Sequence, residues 1–126
     1  MGSWNPPAGS SGLDAPGSSQ AGVAALNTSR TPSATRPVFV VASVSVECEA
    51  SGGEFGKVFL RIEAADPPTV TVGDVGIDLA VEVTHISVPR LTLCGFVPAG
   101  HTYRLVTEAT QGTPVFALLT CREWVL

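Results

Sequence analysis

The feature of this sequence that most constrains its fold is an alternation of apolar and polar residues with a period of two. It begins after Pro37, where Val, Ala and Cys occupy every second position of residues 38–48. This period is that of a β-strand, whose successive side chains point to opposite faces of a sheet. The alternate positions begin with Phe39 and Val41 and become polar toward Glu49. The stretch is therefore predicted to be a long strand with one buried face.

Further runs with β-strand character follow, and turn signals separate them. They cover residues 57–63, 69–72, 77–85, 90–96, 103–107 and 113–126. Clusters of Gly, Pro and Asp mark the turns, among them Gly73-Asp74 and Pro98-Ala99-Gly100. Roughly seven short strands at this spacing are typical of an antiparallel β-sandwich or jelly roll, so the chain is predicted to be all-β. The turn at Pro98 predicts a hairpin in which Phe96 and Tyr103 face each other.

Residues 1–36 differ in composition from the rest of the chain. They are rich in Gly, Ser, Ala and Pro, and their large apolar residues stand apart from one another. Such a segment cannot bury enough apolar surface to offset the entropy lost on ordering. Residues 1–36 are therefore predicted to be a mostly irregular N-terminal arm, with a weak helical turn at 20–27, and residues 37–126 a β-sandwich domain. The arm is either a flexible tail or an extended segment that orders on a partner; the second interpretation is favoured, with the anchoring residues Trp4, Leu13, Val23, Leu26, Arg30 and Arg36.

The charge inventory narrows the possible functions. Only 14% of the residues are charged, the net charge is −4, and Lys57 is the single lysine. Nucleic-acid binders and polybasic membrane-surface proteins carry clustered basic residues, so neither class is expected. No run of 18 apolar residues occurs, and no membrane insertion is predicted.

No combination of residues predicts catalysis. The serines lack the surroundings of a nucleophile elbow, and the cysteines show no CxxC spacing. Cys48, Cys94 and Cys121 each lie in an apolar run and are predicted to be buried free thiols of a protein made in a reducing cytoplasm. The chain is expected not to be an enzyme and to use no metal or cofactor.

The last strand departs from the alternation. Val115, Ala117 and Leu119 are apolar, and so are Phe116 and Leu118 between them. A strand that is apolar on both faces is typically covered on both. Either the loops of the chain cover it, or a second copy does. The second alternative predicts an oligomer interface, which we assign to Phe39, Val41, Phe116 and Leu118.

Four segments together resemble a known class of proteins. They are Leu26–Pro37, Gly56–Arg61, Val97–Val106 and Gly112–Phe116. Two stretches are the most specific. The first is Asn27-Thr28-Ser29-Arg30-Thr31-Pro32-Ser33-Ala34-Thr35-Arg36-Pro37, and the second is Val97-Pro98-Ala99-Gly100-His101-Thr102-Tyr103-Arg104-Leu105-Val106. In this order they resemble the C-terminal β-domains of small virion proteins of tailed bacteriophages, such as head fibres, capsid decoration or cement proteins and fibre tips. The resemblance spans about residues 26–126. It implies a homotrimeric β-structure on the virion, with no catalysis.

Two functions follow from the resemblance. The first is a capsid decoration or head-fibre protein that is assembled in the host cytoplasm, trimerises through its β-domain and attaches through its arm to the major capsid protein or another virion protein. The second is a tail-fibre or spike tip that binds host glycans, with Phe55, His101 and Tyr103 as possible receptor contacts. Sugar sites usually carry exposed aromatics, for which Phe55, Tyr103 and Trp124 are the candidates, and at least two of these three are expected to be buried. The chain has no shaft or coiled-coil repeat, which weakens the second. A carbohydrate-binding module outside viruses is a third alternative, disfavoured by the odd number of cysteines.

Overall fold

The computed structural model describes residues 15–49, 55–78 and 85–126. Within these ranges the protein is all-β, as predicted, and no described residue is helical. The strands are β1 (Ser19–Ala21), β2 (Val38–Glu49), β3 (Phe55–Glu63), β4 (Thr71–Asp78), β5 (His85–Val97), β6 (Thr102–Gln111) and β7 (Val115–Val125).

The strands form two antiparallel sheets. Sheet A has the order β1-β7-β2-β5, and sheet B has the order β4-β3-β6. Strands β3 and β4 are consecutive in the chain and adjacent in one sheet. The connections from β2 to β3, β4 to β5, β5 to β6 and β6 to β7 each lead to the other sheet. The predicted β-sandwich is therefore confirmed.

Strand β2 lies between β7 and β5 in sheet A and supplies much of the core. Its alternate side chains Val38, Val40, Ala42, Val44 and Val46 are 0% exposed, as the period of two predicts. The pairing register of β2 shifts against β7 after Ser43 and against β5 after Val44. Sheet B contributes a facing set of buried side chains, namely Val58, Leu60, Ile62, Tyr103 and Leu105.

Two predicted boundaries are wrong. Strand β4 continues through the predicted turn at Gly73-Asp74, and β5 continues through Pro89. Proline is compatible with β5 because this strand forms an edge of sheet A, where an amide need not pair. Most of the predicted strand 77–85 lies outside the described residues, which place Ile77 and Asp78 at the end of β4 in sheet B and His85 at the start of β5 in sheet A.

The predicted hairpin between Phe96 and Tyr103 is also wrong. A turn does form, with the His101 amide donating to the Pro98 carbonyl at 3.0 Å and Gly100 at φ 74°. This turn carries the chain from sheet A to sheet B. Phe96 lies opposite Phe39, and Tyr103 lies opposite Ile62.

Residues 15–36, here called the N-terminal segment, pack on the sandwich. Strand β1 extends sheet A beside β7, and Arg30 forms an antiparallel bridge with Tyr103 of β6. Ala24 and Leu26, between these two contacts, pack against the core. The predicted helical turn at 20–27 is absent, because β1 covers part of it. The N-terminal segment therefore connects the β7 side of sheet A to the β6 edge of sheet B and closes one side of the sandwich.

Candidate functional site

A buried carboxylate lies beneath this closure. Glu123 is on the inner side of β7 and is 0% exposed. Its Oε2 accepts hydrogen bonds from Arg30 Nε and from the Tyr103 hydroxyl, both at 2.6 Å. Its Oε1 accepts from Arg30 Nη2 at 2.9 Å and from Gln20 Nε2 at 3.0 Å. The Tyr103 hydroxyl also lies 3.5 Å from Cys121 Sγ. These five residues are the Glu123 cluster.

The surroundings set the charge states in the Glu123 cluster. Burial opposes ionisation of Glu123, but the hydrogen bonds from Arg30, Tyr103 and Gln20 outweigh it and lower the pKa of Glu123. Burial, with the hydrogen bond to Glu123, raises the pKa of Tyr103, so the phenol stays protonated. Burial likewise raises the pKa of the Cys121 thiol, and a protonated thiol is a poor nucleophile. The Glu123 cluster therefore contains an ion pair between Arg30 and Glu123, to which Gln20 and Tyr103 add neutral hydrogen-bond donors.

The Glu123 cluster joins three parts of the chain. Gln20 belongs to β1, Tyr103 to β6, and Glu123 to β7, while Arg30 is the residue that bridges to β6. Every group that contacts the carboxylate at hydrogen-bonding distance is a donor. A buried charge is tolerated only when it is paired and hydrogen-bonded, and this one satisfies both conditions. The cluster holds the N-terminal segment on the sandwich.

The outer face of sheet A carries an exposed aromatic surface. The rings of Phe39 and Phe96 have centroids 4.9 Å apart, and those of Phe39 and Trp124 are 6.2 Å apart. Phe96 is 63% exposed and Trp124 is 37% exposed. We call these three residues the aromatic face. The next row of the sheet brings Val41 opposite Cys94, so the apolar surface continues along the strands.

A shallow groove of about 540 Å³ lies beside the aromatic face. Trp124 forms part of its wall, and the Arg122 guanidinium lies 5.9 Å from the centroid of the Trp124 ring. Ser43, Arg90 and Thr120 add polar groups to the lining. The groove therefore combines one aromatic ring with several hydrogen-bonding groups.

The predicted arm anchors occupy different environments. Trp4 and Leu13 lie outside the described residues. Val23 is 44% exposed, and Arg36 is also exposed. Leu26 packs against the core and Arg30 pairs with Glu123, so these two side chains are engaged within the chain. This arrangement leaves Val23 and Arg36 as the described anchors that a partner can reach.

The predicted oligomer interface is divided between the two sides of sheet A. Phe39 and Val41 lie on the outer side, the former within the aromatic face and the latter in the groove wall. Phe116 and Leu118 lie on the inner side, where both pack against the core. The exposed apolar side chains of β7 are their neighbours, with Val115 at 60% and Leu119 at 43%. Phe116 and Leu118 thus pack inside the sandwich, and the alternation along β7 shifts by one residue at Leu119, where the register against β2 changes.

The predicted receptor contacts are also separated. Tyr103 is 1% exposed and belongs to the Glu123 cluster, so it cannot meet a receptor at the surface. His101 is half-buried in the turn, where Nδ1 lies 3.3 Å from the Ala99 carbonyl oxygen. Phe55 begins β3, and its side chain lies outside the described part of the chain.

The cysteines differ from expectation in one case. Cys121 is buried and free, as predicted, whereas Cys94 is free but exposed. Strand β5 places Cys94 opposite Val41 on the outer side of sheet A, which accounts for its exposure. The side chain of Cys48 lies outside the described residues.

Three residues that shape these sites escaped the sequence analysis. The sequence pattern places Phe96 in a hairpin, offers Trp124 only as one of three candidate aromatics, and indicates no role for Glu123. A signal for Glu123 does exist, because it continues the inner alternation of Cys121 and Val125 at the end of β7. A charged residue at an inward position predicts a buried pair. The partner, Arg30, lies 93 residues away and could not be identified from sequence.

Among the described residues, no group of three or more His, Cys, Asp or Glu side chains is placed to hold a metal ion. No helix long and apolar enough to span a membrane occurs in the described ranges. Comparison with protein-family models, with curated proteins and with solved structures finds no match to this chain.

Proposed function

We propose that this protein is a structural component of a tailed-phage virion, of the capsid decoration or head-fibre type, and that it acts by adhesion. Copies of the β-domain associate with one another, and the N-terminal part of the chain attaches the assembly to the capsid shell. The resemblance of residues 26–126 to small virion proteins supports the virion location and the trimer. In this proposal the protein acts without catalysis, metal or cofactor.

The observation that carries the proposal is the aromatic face. Large exposed apolar patches on soluble proteins mark interaction sites, and interface centres are enriched in Trp and Phe. Burying one Phe side chain contributes about 1.5–3 kcal/mol, so covering Phe96 and Trp124 in each of several copies favours association. Phe39 and Phe96 replace Phe116 and Leu118 as the proposed contacts, because the latter two are already used inside the sandwich.

Contacts within the fold leave fewer residues available for capsid attachment. Residues 17–31 hydrogen-bond to β6 and β7, so they belong to the β-domain rather than to a free arm. Capsid attachment is therefore assigned to residues 1–14, which include Trp4 and Leu13, together with the exposed Val23 and Arg36. Weak contacts repeated in each copy of an oligomer give avidity. Binding only to the assembled shell also stabilises that shell by mass action.

Self-association is tested with Phe96→Ser. Sedimentation velocity on the full chain is expected to give an oligomer for the unchanged protein and a folded monomer for the variant. Val70→Ser is the matched control, because Val70 is 50% exposed but lies in the loop before β4, away from the aromatic face. An oligomer that survives Phe96→Ser, or that Val70→Ser dissociates equally, would contradict the proposed interface.

Capsid attachment is tested by deleting residues 1–14. The deletion leaves β1 and the Glu123 cluster in place, so the shortened chain is expected to remain an oligomeric β-domain and to lose binding to capsids. Virions that lack the protein are expected to lose heat resistance and to adsorb normally to cells. Full decoration by the shortened chain would rule out this mode of attachment.

A second candidate function is favoured by the groove beside Trp124. An aromatic ring next to hydrogen-bonding side chains is an arrangement that sugar rings can use, and it corresponds to a tail-fibre or spike tip that binds host glycans. Under this alternative, Trp124→Ala would abolish binding on a glycan array, and virions without the protein would fail to adsorb while their heat resistance stayed unchanged. The two functions thus predict opposite phenotypes.

A further inference from the structure

The outer face of sheet B carries an unusual pair of arginines. Arg61 of β3 and Arg104 of β6 are directly opposite each other in the antiparallel register. Their sequence neighbours Leu60, Ile62, Tyr103 and Leu105 are buried in the core, so both arginines project from the outer side. Arg61 thus lies on the central strand of sheet B and Arg104 on an edge strand, and the Cβ atoms of directly opposed residues are about 5 Å apart.

Neither arginine has an anionic partner among the described residues. The ion pair between Arg30 and Glu123 lies on the inner side of the sandwich. The Nε atoms of Arg61 and Arg104 are both buried and lack a hydrogen-bond partner. Arg61 does pack against Phe59, with its guanidinium carbon 5.4 Å from the ring centroid. That contact orients the group but supplies no acceptor.

The acidic side chains described on this face lie beside other polar or basic residues. Glu63, the next acidic residue on the outer side of β3, accepts hydrogen bonds from the Thr69 amide at 2.8 Å and hydroxyl at 2.6 Å. Phe59 lies opposite Val106 on the adjacent row, so an apolar patch borders the arginines on one side. The next row pairs Lys57 with Glu108. Two positive charges thus face each other on sheet B, although the net charge of the chain is −4.

We propose that Arg61 and Arg104 form a binding site for an oxyanion, either a carboxylate or a sulfate or phosphate group. Like charges directly opposite each other in a sheet are unfavourable, and buried Nε–H donors need acceptors. One oxyanion between the two guanidinium groups offsets the like charges and offers acceptors to their N–H donors. Arginine suits this role because its planar fork of donors matches the geometry of these anions. Phe59 and Val106 supply an apolar surface for the group that carries the anion.

This site is independent of the proposed self-association. It lies on sheet B, whereas the aromatic face lies on the outer side of sheet A. An oxyanion ligand can therefore bind while copies of the chain are associated. Loss of binding here and loss of oligomerisation are separate outcomes.

The experiment is an NMR titration of the full chain that follows the Arg Nε–Hε resonances. Sodium sulfate and sodium acetate are the probes, and sodium chloride at matched ionic strength is the reference. The resonances of Arg61 and Arg104 are expected to shift together and saturably with at least one probe, and those of Arg36 are expected to follow only ionic strength. A stronger response to acetate identifies a carboxylate ligand, and a stronger response to sulfate identifies a sulfate or phosphate ligand.

Variants complete the test. Arg104→Gln is expected to weaken binding at least tenfold, and Arg36→Gln, at an exposed position, is the matched control. Arg104→Lys keeps the charge without the planar fork and is expected to weaken binding as well, which provides a second variant if the first does not fold. Shifts that chloride reproduces, or binding that both Arg104 variants leave unchanged, would overturn the proposal.

Discussion

At the scale of single residues, Glu123 is the most constrained position in the described structure. Its two oxygens accept four hydrogen bonds, all from donors. A glutamine in its place has one acceptor oxygen and an amide group that meets other donors. The replacement also leaves the Arg30 charge, whose side chain is 19% exposed, without its partner.

We therefore expect Glu123→Gln to lower the free energy of unfolding by about 3 kcal/mol, the magnitude typical of breaking one side of a buried ion pair. Urea unfolding at neutral pH provides the measurement. Glu47→Gln is the control, because Glu47 is an exposed carboxylate on the same sheet. A loss for Glu123→Gln no larger than that for Glu47→Gln would show that the ion pair does not hold the N-terminal segment in place.

The same carboxylate predicts a pH dependence. Although burial opposes ionisation, hydrogen bonds from Arg30, Tyr103 and Gln20 lower the pKa of folded Glu123 from its usual value of 4.5. The unfolded chain therefore binds this proton more tightly than the folded chain. The stabilisation by ionised Glu123 is complete above the unfolded pKa and is lost as the pH falls through the folded one.

The stability difference between the unchanged protein and Glu123→Gln is accordingly expected to be largest near neutral pH and to shrink below pH 4.5. Urea unfolding of both proteins across the acidic range measures this difference. A gap that widens with acidification would mean that folding raises, rather than lowers, the pKa of Glu123.

At the scale of elements, β1 is a strand that forms without an alternation of apolar and polar side chains. Its sequence is Ser-Gln-Ala, and only Gln20 in its middle is half-buried. Backbone pairing with β7 holds it, continued by the Val125 amide donating to Ser18 at 2.9 Å and the Gly22 amide donating to Cys121 at 3.4 Å. Backbone groups are the same in every residue, so the period-two rule could not detect this strand.

Deleting residues 1–22 is expected to expose the edge of β7. Because the Val125 amide loses its acceptor on Ser18, its hydrogen exchange is expected to accelerate by about tenfold or more. The Ile62 amide, which donates to the Val70 carbonyl in sheet B at 2.9 Å, serves as the internal reference. Deletion of residues 1–14 alone should change neither amide. Unaltered exchange at Val125 after the longer deletion would mean that β1 contributes no protection to β7.

At the scale of the whole molecule, the two outer faces of the sandwich differ. Sheet A presents aromatic and aliphatic groups, whereas sheet B presents charged residues that include Arg61 and Arg104. Sheet A also carries exposed charges, among them Glu47 and Arg122, so the directly opposed arginine pair is what distinguishes sheet B. The apolar side suits contact with other copies, and the charged side suits contact with an anion.

Cys94 provides a probe of whether the aromatic face is covered in solution. It is an exposed free thiol two residues from Phe96, whereas Cys121 is buried. We expect a maleimide to modify Cys94 slowly in the oligomer and several-fold faster in Phe96→Ser, because coverage restricts access to the thiol. Mass spectrometry of the labelled peptide measures the rate, and Cys94→Ser identifies the signal. Equal rates in the two proteins would indicate that no other copy covers this face.

The sequence alone determined the all-β class and the buried side of β2, because side-chain alternation is a local property of an extended chain. Only the tertiary structure decided which strands share a sheet. The turn at Pro98–Gly100 is readable from sequence, but its transfer of the chain from Phe96 in sheet A to Tyr103 in sheet B depends on distant pairings. The same holds for Arg30 and Glu123, whose contact joins residues far apart in the chain.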